Sequence, residues 1–147
     1  MDGMGSVTLH LAEGDLDYAE RLLSRSDLPV EDITASPVEM YYATAATERI
    51  GIGGLEEYGD VGLVRSVVVE PSKRGQGYGS MLCESLETIA RDRGVETLYL
   101  LTTTASDFFA SEGYTTVERS IAPDAVQNTT EFGELCPSTA VCMRKTL

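Results

Sequence analysis

Histidine occurs once in this chain, at His10, and lysine only twice, at Lys73 and Lys145. A single imidazole excludes the paired His/Cys spacings of a zinc centre, so no metal site is expected. His10 itself reads as an ordinary surface or edge residue ending the first strand. Eleven basic residues against 24 acidic ones leave a formal charge of −13. Such a surface repels a phosphate backbone, which excludes nucleic acid as the expected partner. Because acids fill nearly every polar stretch and arginine stands in for lysine, the charge reads as adaptation to high salt, where screening removes most surface repulsion. The three cysteines, Cys83, Cys136 and Cys142, are an odd number and argue for free thiols rather than a disulfide framework. No apolar run reaches the roughly 18 residues of a membrane helix, and the start Met1-Asp2-Gly3-Met4-Gly5 lacks the basic and apolar stretches of a signal peptide. A soluble, cytoplasmic protein with no membrane partner is the expectation.

What is present suits one folded domain over residues 1–147, since 42% of the chain is hydrophobic and its length supports a single core. Val7 to Leu11 alternates as a strand. A helix opens at Asp15 and Asp17 and runs to about Ser26, with Leu16, Ala19, Leu22 and Leu23 at helical spacing and acids in its first turn. Leu28 to Ile33 is a break with a short helical turn. Glu39 to Thr44 and Glu48 to Tyr58 read as antiparallel strands, Tyr58-Gly59-Asp60 as a turn, and Val61 to Val69 as a third strand. A long helix then reaches Arg93, with Tyr78, Leu82, Leu86 and Ile89 as its stripe and Gly94 as its cap. Thr97 to Leu101 is a strand, Ala105 to Glu112 a short helix closed by Gly113, and Tyr114 to Arg119 strand-like. A polar segment, Pro123 to Glu134, precedes a last strand around Thr139 to Arg144.

Chemistry concentrates in the run from Val67 to Ser80, where a β-branched strand breaks at Pro71, crosses a glycine-rich turn and enters a helix. Glycines at positions 75, 77 and 79 allow backbone N–H groups to approach a ligand, and the helix start offers unsatisfied donors and a positive dipole end. Arg74 adds a side-chain cation. A P-loop requires Gly-Lys-Ser/Thr after its second glycine, and position 78 is Tyr. A dinucleotide fingerprint requires glycine where Ser80 stands and an acid at the end of the next strand, whereas Glu96 precedes it. The remaining alternative is a glycine-rich turn that holds no ligand.

The Arg-x-x-Gly-x-Gly spacing after a strand resembles the pyrophosphate motif of the GNAT superfamily of acetyl-CoA-dependent N-acetyltransferases. The element order is similar to the GNAT fold from end to end, which implies an α/β (α+β) protein with a central mixed, mostly antiparallel twisted sheet of six to seven strands and about four helices. The resemblance implies acetyl-CoA as cosubstrate. It assigns Arg74, Gly75, Gln76, Gly77, Tyr78, Gly79 and Ser80 to the pyrophosphate, and Val67, Val68 and Val69 to the pantetheine arm. Three valines are equally a plain buried strand. Ala105 to Tyr114 is similar to the superfamily's second signature, whose aromatic pair, here Phe108 and Phe109, flanks that arm. Many members carry tyrosine at the second aromatic to protonate the departing thiolate. Phe109 has no such proton, so its expected role is packing.

A narrower resemblance joins Gly54 to Asp60, Leu63 to Ser66, Leu100 to Ala105 and Glu134 to Ala140 to the arsenic-resistance N-acetyltransferases, and implies an arsenical or similar amino acid as the amine. A small-molecule amine is then the partner, with a homodimer left open as the assembly. Protein or peptide acetylation and a catalytically weak, acetyl-CoA-binding regulatory module are the competing readings. Amine acetylation needs a neutral amine, a held thioester oxygen and a leaving thiolate. An N–H near Val69 suits the oxygen. Glu56 is the first choice of base, acting through water, against the plainer reading of an exposed turn acid. Arg65, two residues before Val67 and on the same face by strand alternation, offers its fork to a substrate acid or to a salt bridge with Glu56 or Glu57. Tyr58 and Tyr41 line the acceptor cleft or pack. Cys136, before Pro137, is a soft ligand for arsenic or an ordinary buried thiol.

Overall fold

The computed structural model describes residues 7–12, 17–25, 39–103, 105–127 and 140–147. The expected turn at Leu28 to Ile33, Cys136 and nearly all of the segment Glu134 to Ala140 lie outside them. In chain order the elements are β1 (Thr8–Leu11), α1 (Asp17–Arg25), β2 (Glu39–Ala45), β3 (Glu48–Tyr58), β4 (Val61–Val69), α2 (Tyr78–Asp92), β5 (Thr97–Thr102), α3 (Ser106–Ser111), β6 (Thr115–Val117), α4 (Asp124–Gln127) and β7 (Val141–Thr146). The strands form one seven-stranded sheet in the order β1-β2-β3-β4-β5-β7-β6. Every neighbouring pair is antiparallel except β4 with β5. The expected fold class is thereby borne out.

Among the described residues, three stretches differ from the sequence reading by more than one residue. The strand expected over Tyr114 to Arg119 is shorter, because a 3-10 turn takes over at Arg119–Ile121. The polar segment from Pro123 opens with α4, whose Val126 is buried. The last strand begins at Val141 and continues to Thr146, so that it pairs β5 along its whole length from Thr97↔Thr146 to Thr102↔Val141. A polar composition concealed the first two, and the pairing demand of β5 decides the third.

The helices cover both faces. On one, Cys83, Leu86 and Ala90 of α2 pack with Leu55 and Val64 of the sheet and Phe109 of α3, Leu82 packs with Ala43, Ala45 and Ile50, and all are buried. Full burial of each such leucine stabilises the fold by about 1.5–3 kcal/mol. The α2 stripe is rotated from the expected one: Tyr78 and Ile89 lie at its half-buried margin, while Glu87 sits within the buried set. On the opposite face Leu22 and Leu23 of α1 meet Met40, Ile52 and Val68, and Val126 of α4 meets Leu63, Tyr99 and Leu101.

Two irregularities in β4 position everything that follows. Ile52 pairs with Val68 but Gly54 pairs with Arg65, so Ser66 and Val67 together face the single Gly53. This is a β-bulge, which shifts the alternation of side chains by one residue. On the other edge, β4 pairs with β5 only from Val61↔Thr97 to Leu63↔Tyr99, and beyond Leu63 the two strands part.

Candidate functional site

Where β4 leaves β5, a cleft of about 700 Å³ opens. Val67, Val68, Val69, Arg74, Gly75, Gly77, Tyr78, Gly79, Ser80, Phe108 and Phe109 line it, together with Pro71, Lys73 and Ala105. Of the residues that the sequence assigns to a cofactor, only Gln76 is absent from the lining, and its side chain reaches back toward the Ser72 carbonyl at 3.5 Å. Pro71, Lys73 and Ala105, which the sequence places inside the two motifs without assigning them to a cofactor, also line the cleft.

The loop's geometry follows from its glycines. Gly75 and Gly77 hold φ of 79° and 86°, a left-handed conformation that a side chain disfavours. Gly77 precedes α2, whose first intrahelical bond runs from the Met81 N–H to the Gly77 carbonyl at 3.2 Å. The N–H groups of Tyr78, Gly79 and Ser80 therefore have no partner inside the helix and, with the positive dipole end, form a donor set for an anion. A Cβ on Gly79 would lie 3.1 Å from the Phe108 ring, so this glycine lets α3 close against α2. Exposed Arg74 donates from Nε to the Val69 carbonyl at 3.1 Å, which anchors its cation at the end of β4. Half-buried Lys73 bonds Glu48 at 2.5 Å, and this bond raises the ammonium's pKa.

A second polar group lies on the opposite sheet face. The Arg65 guanidinium bonds the Glu56 carboxylate at 3.0 Å, and their side chains are only 1% and 2% exposed. Half-buried Tyr58 donates its hydroxyl to the other Glu56 oxygen. Glu56 is thus a buried strand residue, which corrects its reading as an exposed turn acid. Of the two readings of Arg65, the guanidinium takes the salt bridge. The bulge also corrects its placement. A Cβ on Gly54 would lie 2.8 Å from Met40 Sδ and 3.3 Å from Arg65 Cγ, which puts Arg65 on the α1 face, whereas Val67 packs with Leu82 and Leu86 on the α2 face. Tyr41 does not join this group: its ring is buried in the cluster around Leu55 and Leu86, and its hydroxyl donates to Glu39 at 3.1 Å. Burial, then the Glu39 charge, raises its pKa.

Behind the cleft a third network links α2, α3 and β7. Lys145 Nζ bonds the buried Glu87 carboxylate at 2.9 Å and the Glu112 carbonyl at 2.8 Å, while Ser80 Oγ donates to the Glu112 carboxylate at 2.6 Å. Beside it, burial and the carboxylates of Glu112 and Glu87 push the Cys83 thiol up to about 12. Burial likewise raises Cys142. Neither thiol is a nucleophile at neutral pH. No local pattern announces this network, because Glu87 and Lys145 lie 58 residues apart in the chain.

Residues 11–114 match the model of the acetyltransferase (GNAT) family. The amino-acid acetyltransferase of Mycobacterium tuberculosis is 32% identical over 90 residues, which are 60% of this chain and 48% of that protein. The chain thus spans about half the length of this curated relative. Among solved structures, the N-acetylglutamate synthase of Neisseria gonorrhoeae complexed with coenzyme A and N-acetyl-glutamate superposes with a TM-score of 0.79 at 19% identity, covering 97% of this chain and 35% of that one. A GNAT family acetyltransferase from Elizabethkingia anophelis with acetyl-CoA bound superposes at 0.71 with 18% identity, covering 97% of both chains. At these identities the two structures support the fold.

Proposed function

Since the chain belongs to the acetyltransferase (GNAT) family, we propose that it binds acetyl-CoA in the cleft beside β4 and transfers the acetyl group to the amine of a small amino acid. The observation that carries this reading is the parting of β4 from β5 beside the glycine loop. Val67 to Val69 thereby keep a strand edge toward the cleft that β5 does not use, and an extended pantetheine arm can add to such an edge as a strand would. The N–H groups of Tyr78, Gly79 and Ser80, with Arg74, suit a pyrophosphate at the other end of the same cleft. Backbone donors, an added cation and an apolar wall from Phe108 and Phe109 fit the parts of acetyl-CoA in order.

Acetyl-CoA supplies an activated thioester, so orientation and charge stabilisation are what the chain must add. The amine nitrogen forms its bond to the acetyl carbonyl carbon as the carbon–sulfur bond breaks, and the sulfur leaves with the bonding pair. A backbone N–H on the cleft edge of β4, toward the bulge and away from the glycine loop, holds the carbonyl oxygen. The amine's proton passes through water toward the Glu56 carboxylate, which Tyr58 and Arg65 hold in place. Arg65 is thus a positioning residue. Phe109 offers no proton, so the thiolate takes one from water. The amino acid class of acceptor rests on the M. tuberculosis relative. An arsenical amino acid falls within that class, as the narrower sequence resemblance suggests.

Release of free coenzyme A, measured over a panel of amino acids, polyamines and a peptide amine, tests this reading. Turnover greatest with amino acids supports it, with an arsenical amino acid as one arm of the panel. Acetylation of the peptide alone would replace it with protein acetylation. Tight acetyl-CoA binding with no turnover would favour a regulatory module, the reading that Phe109 supports.

A further inference from the structure

The walls of the cleft are two separate helices, and among the described residues no strand pairing joins one directly to the other. The start of α2 brings Gly79 and Ser80, and α3 brings Phe108 and Phe109. What ties them is the network behind the cleft. Glu112, the residue that ends α3, is held from two directions: Ser80 of α2 takes its carboxylate and Lys145 of β7 takes its carbonyl. Lys145 is fixed in turn by Glu87 on α2, whose side chain is 6% exposed, and its ammonium lies 5.7 Å from the centre of the Tyr114 ring. That ring meets Phe109 edge-on, with centroids 5.7 Å apart. One ammonium therefore touches both the helix behind the pyrophosphate loop and the end of the helix that carries the aromatic wall.

A buried ion pair is a poor device for stability alone, because desolvation offsets much of the attraction and an apolar pair of similar volume often serves as well. The pair here joins the two elements whose separation sets the cleft width. We propose that Lys145 is a positioning residue for acetyl-CoA, which with Glu87 and the Glu112 carbonyl holds α3 at the spacing that the cofactor arm requires. The inference rests on the reading of the cleft as the acetyl-CoA site. None of the three groups touches the ligand; they act through Phe108, Phe109 and Ser80.

The test separates positioning from stability. Lys145→Met leaves Glu87 buried without its cation and lowers the melting temperature, so the double variant Lys145→Met/Glu87→Gln is made beside it to remove the stranded charge. Acetyl-CoA affinity is measured by titration calorimetry and stability by thermal melting. The expected result is a double variant that melts close to wild type but binds acetyl-CoA about tenfold more weakly, while Lys145→Arg, which keeps the cation, recovers most of the affinity. A double variant with wild-type stability and wild-type affinity overturns the inference while leaving the function reading intact. A wild type that takes up no acetyl-CoA overturns both.

Discussion

The free edge of β4 and the sheet face that carries Arg65 perform different work by different means. Past Leu63 the cleft side of β4 meets the glycine loop and the start of α2, and what it offers there is backbone: amides with no helical partner, a strand edge, and glycines that let both come close. On the α1 face the buried Glu56 and Arg65 and the half-buried Tyr58 form a side-chain network across β3 and β4. Backbone donors carry no protonation state and hold the same partial charge at every pH, which suits a site that must grip one invariant ligand. Buried side chains can pass protons and be altered singly, which suits the acceptor-handling role proposed for them. The same asymmetry sets the vulnerability of each half. The backbone site fails when its conformation is disturbed, and the side-chain site fails when one charge loses its partner.

The largest effect should therefore come from Arg65→Ala. It strands the Glu56 carboxylate in the interior, and removing one partner of a buried pair costs about 3–5 kcal/mol. Urea midpoints measure this, and a change below about 1 kcal/mol would mean that Glu56 is solvated and the contrast between the faces is wrong. Next comes Gly77→Val. The residue's φ of 86° disfavours a β-branched side chain, so the loop should reshape and the rise in melting temperature given by acetyl-CoA should vanish, whereas the fold stays cooperative. An equal rise in wild type and variant would remove the loop from the cofactor site.

A smaller effect is expected from alkali. Cys83 and Tyr114 are both neutral acids whose pKa values burial raises in the folded chain. A raised folded value adds stability that is fully present below the unfolded pKa and is lost as pH climbs toward the folded one. For Cys83 that window runs from about 9 to about 12. Melting temperature should fall across it, and Cys83→Ala should flatten part of the fall; a Cys83→Ala variant with the full wild-type slope would contradict the assignment. The smallest effect belongs to Phe109→Tyr. If water protonates the thiolate, turnover should change by less than about threefold, and a gain above about tenfold would show that a missing acid limits the wild type.

This division also explains what the sequence made legible. The loop lies within fourteen consecutive positions, Val67 to Ser80, and its meaning depends on backbone conformation that glycine and proline announce locally. Glu56, Arg65 and Tyr58 were named from the sequence, but their placement was not available. The bulge at Ser66 and Val67 carries no glycine or proline on β4, so plain alternation put Arg65 on the wrong face. Glu56 read as a turn acid because the turn at Gly59 is only three residues away. Lys145 and Glu87 are 58 residues apart in the chain, and their meeting depends on how β7 is drawn in beside β5. Long-range pairing of that kind has no local signal.

The parting of β4 from β5 bears on how the chain opens as well as on what it binds. Three residue pairs, Val61↔Thr97 to Leu63↔Tyr99, join the strands β1–β4 to the strands β5–β7, so the ladder in the middle of the sheet is as thin as the one that holds β6 at its rim. Sub-global opening runs along such seams. Amide hydrogens of β5 and β7 should then exchange as one block and those of β2 and β3 as another, the two separated in opening free energy. A ligand laid into the seam supplies bonds to both blocks at once and should merge them into a single exchange unit.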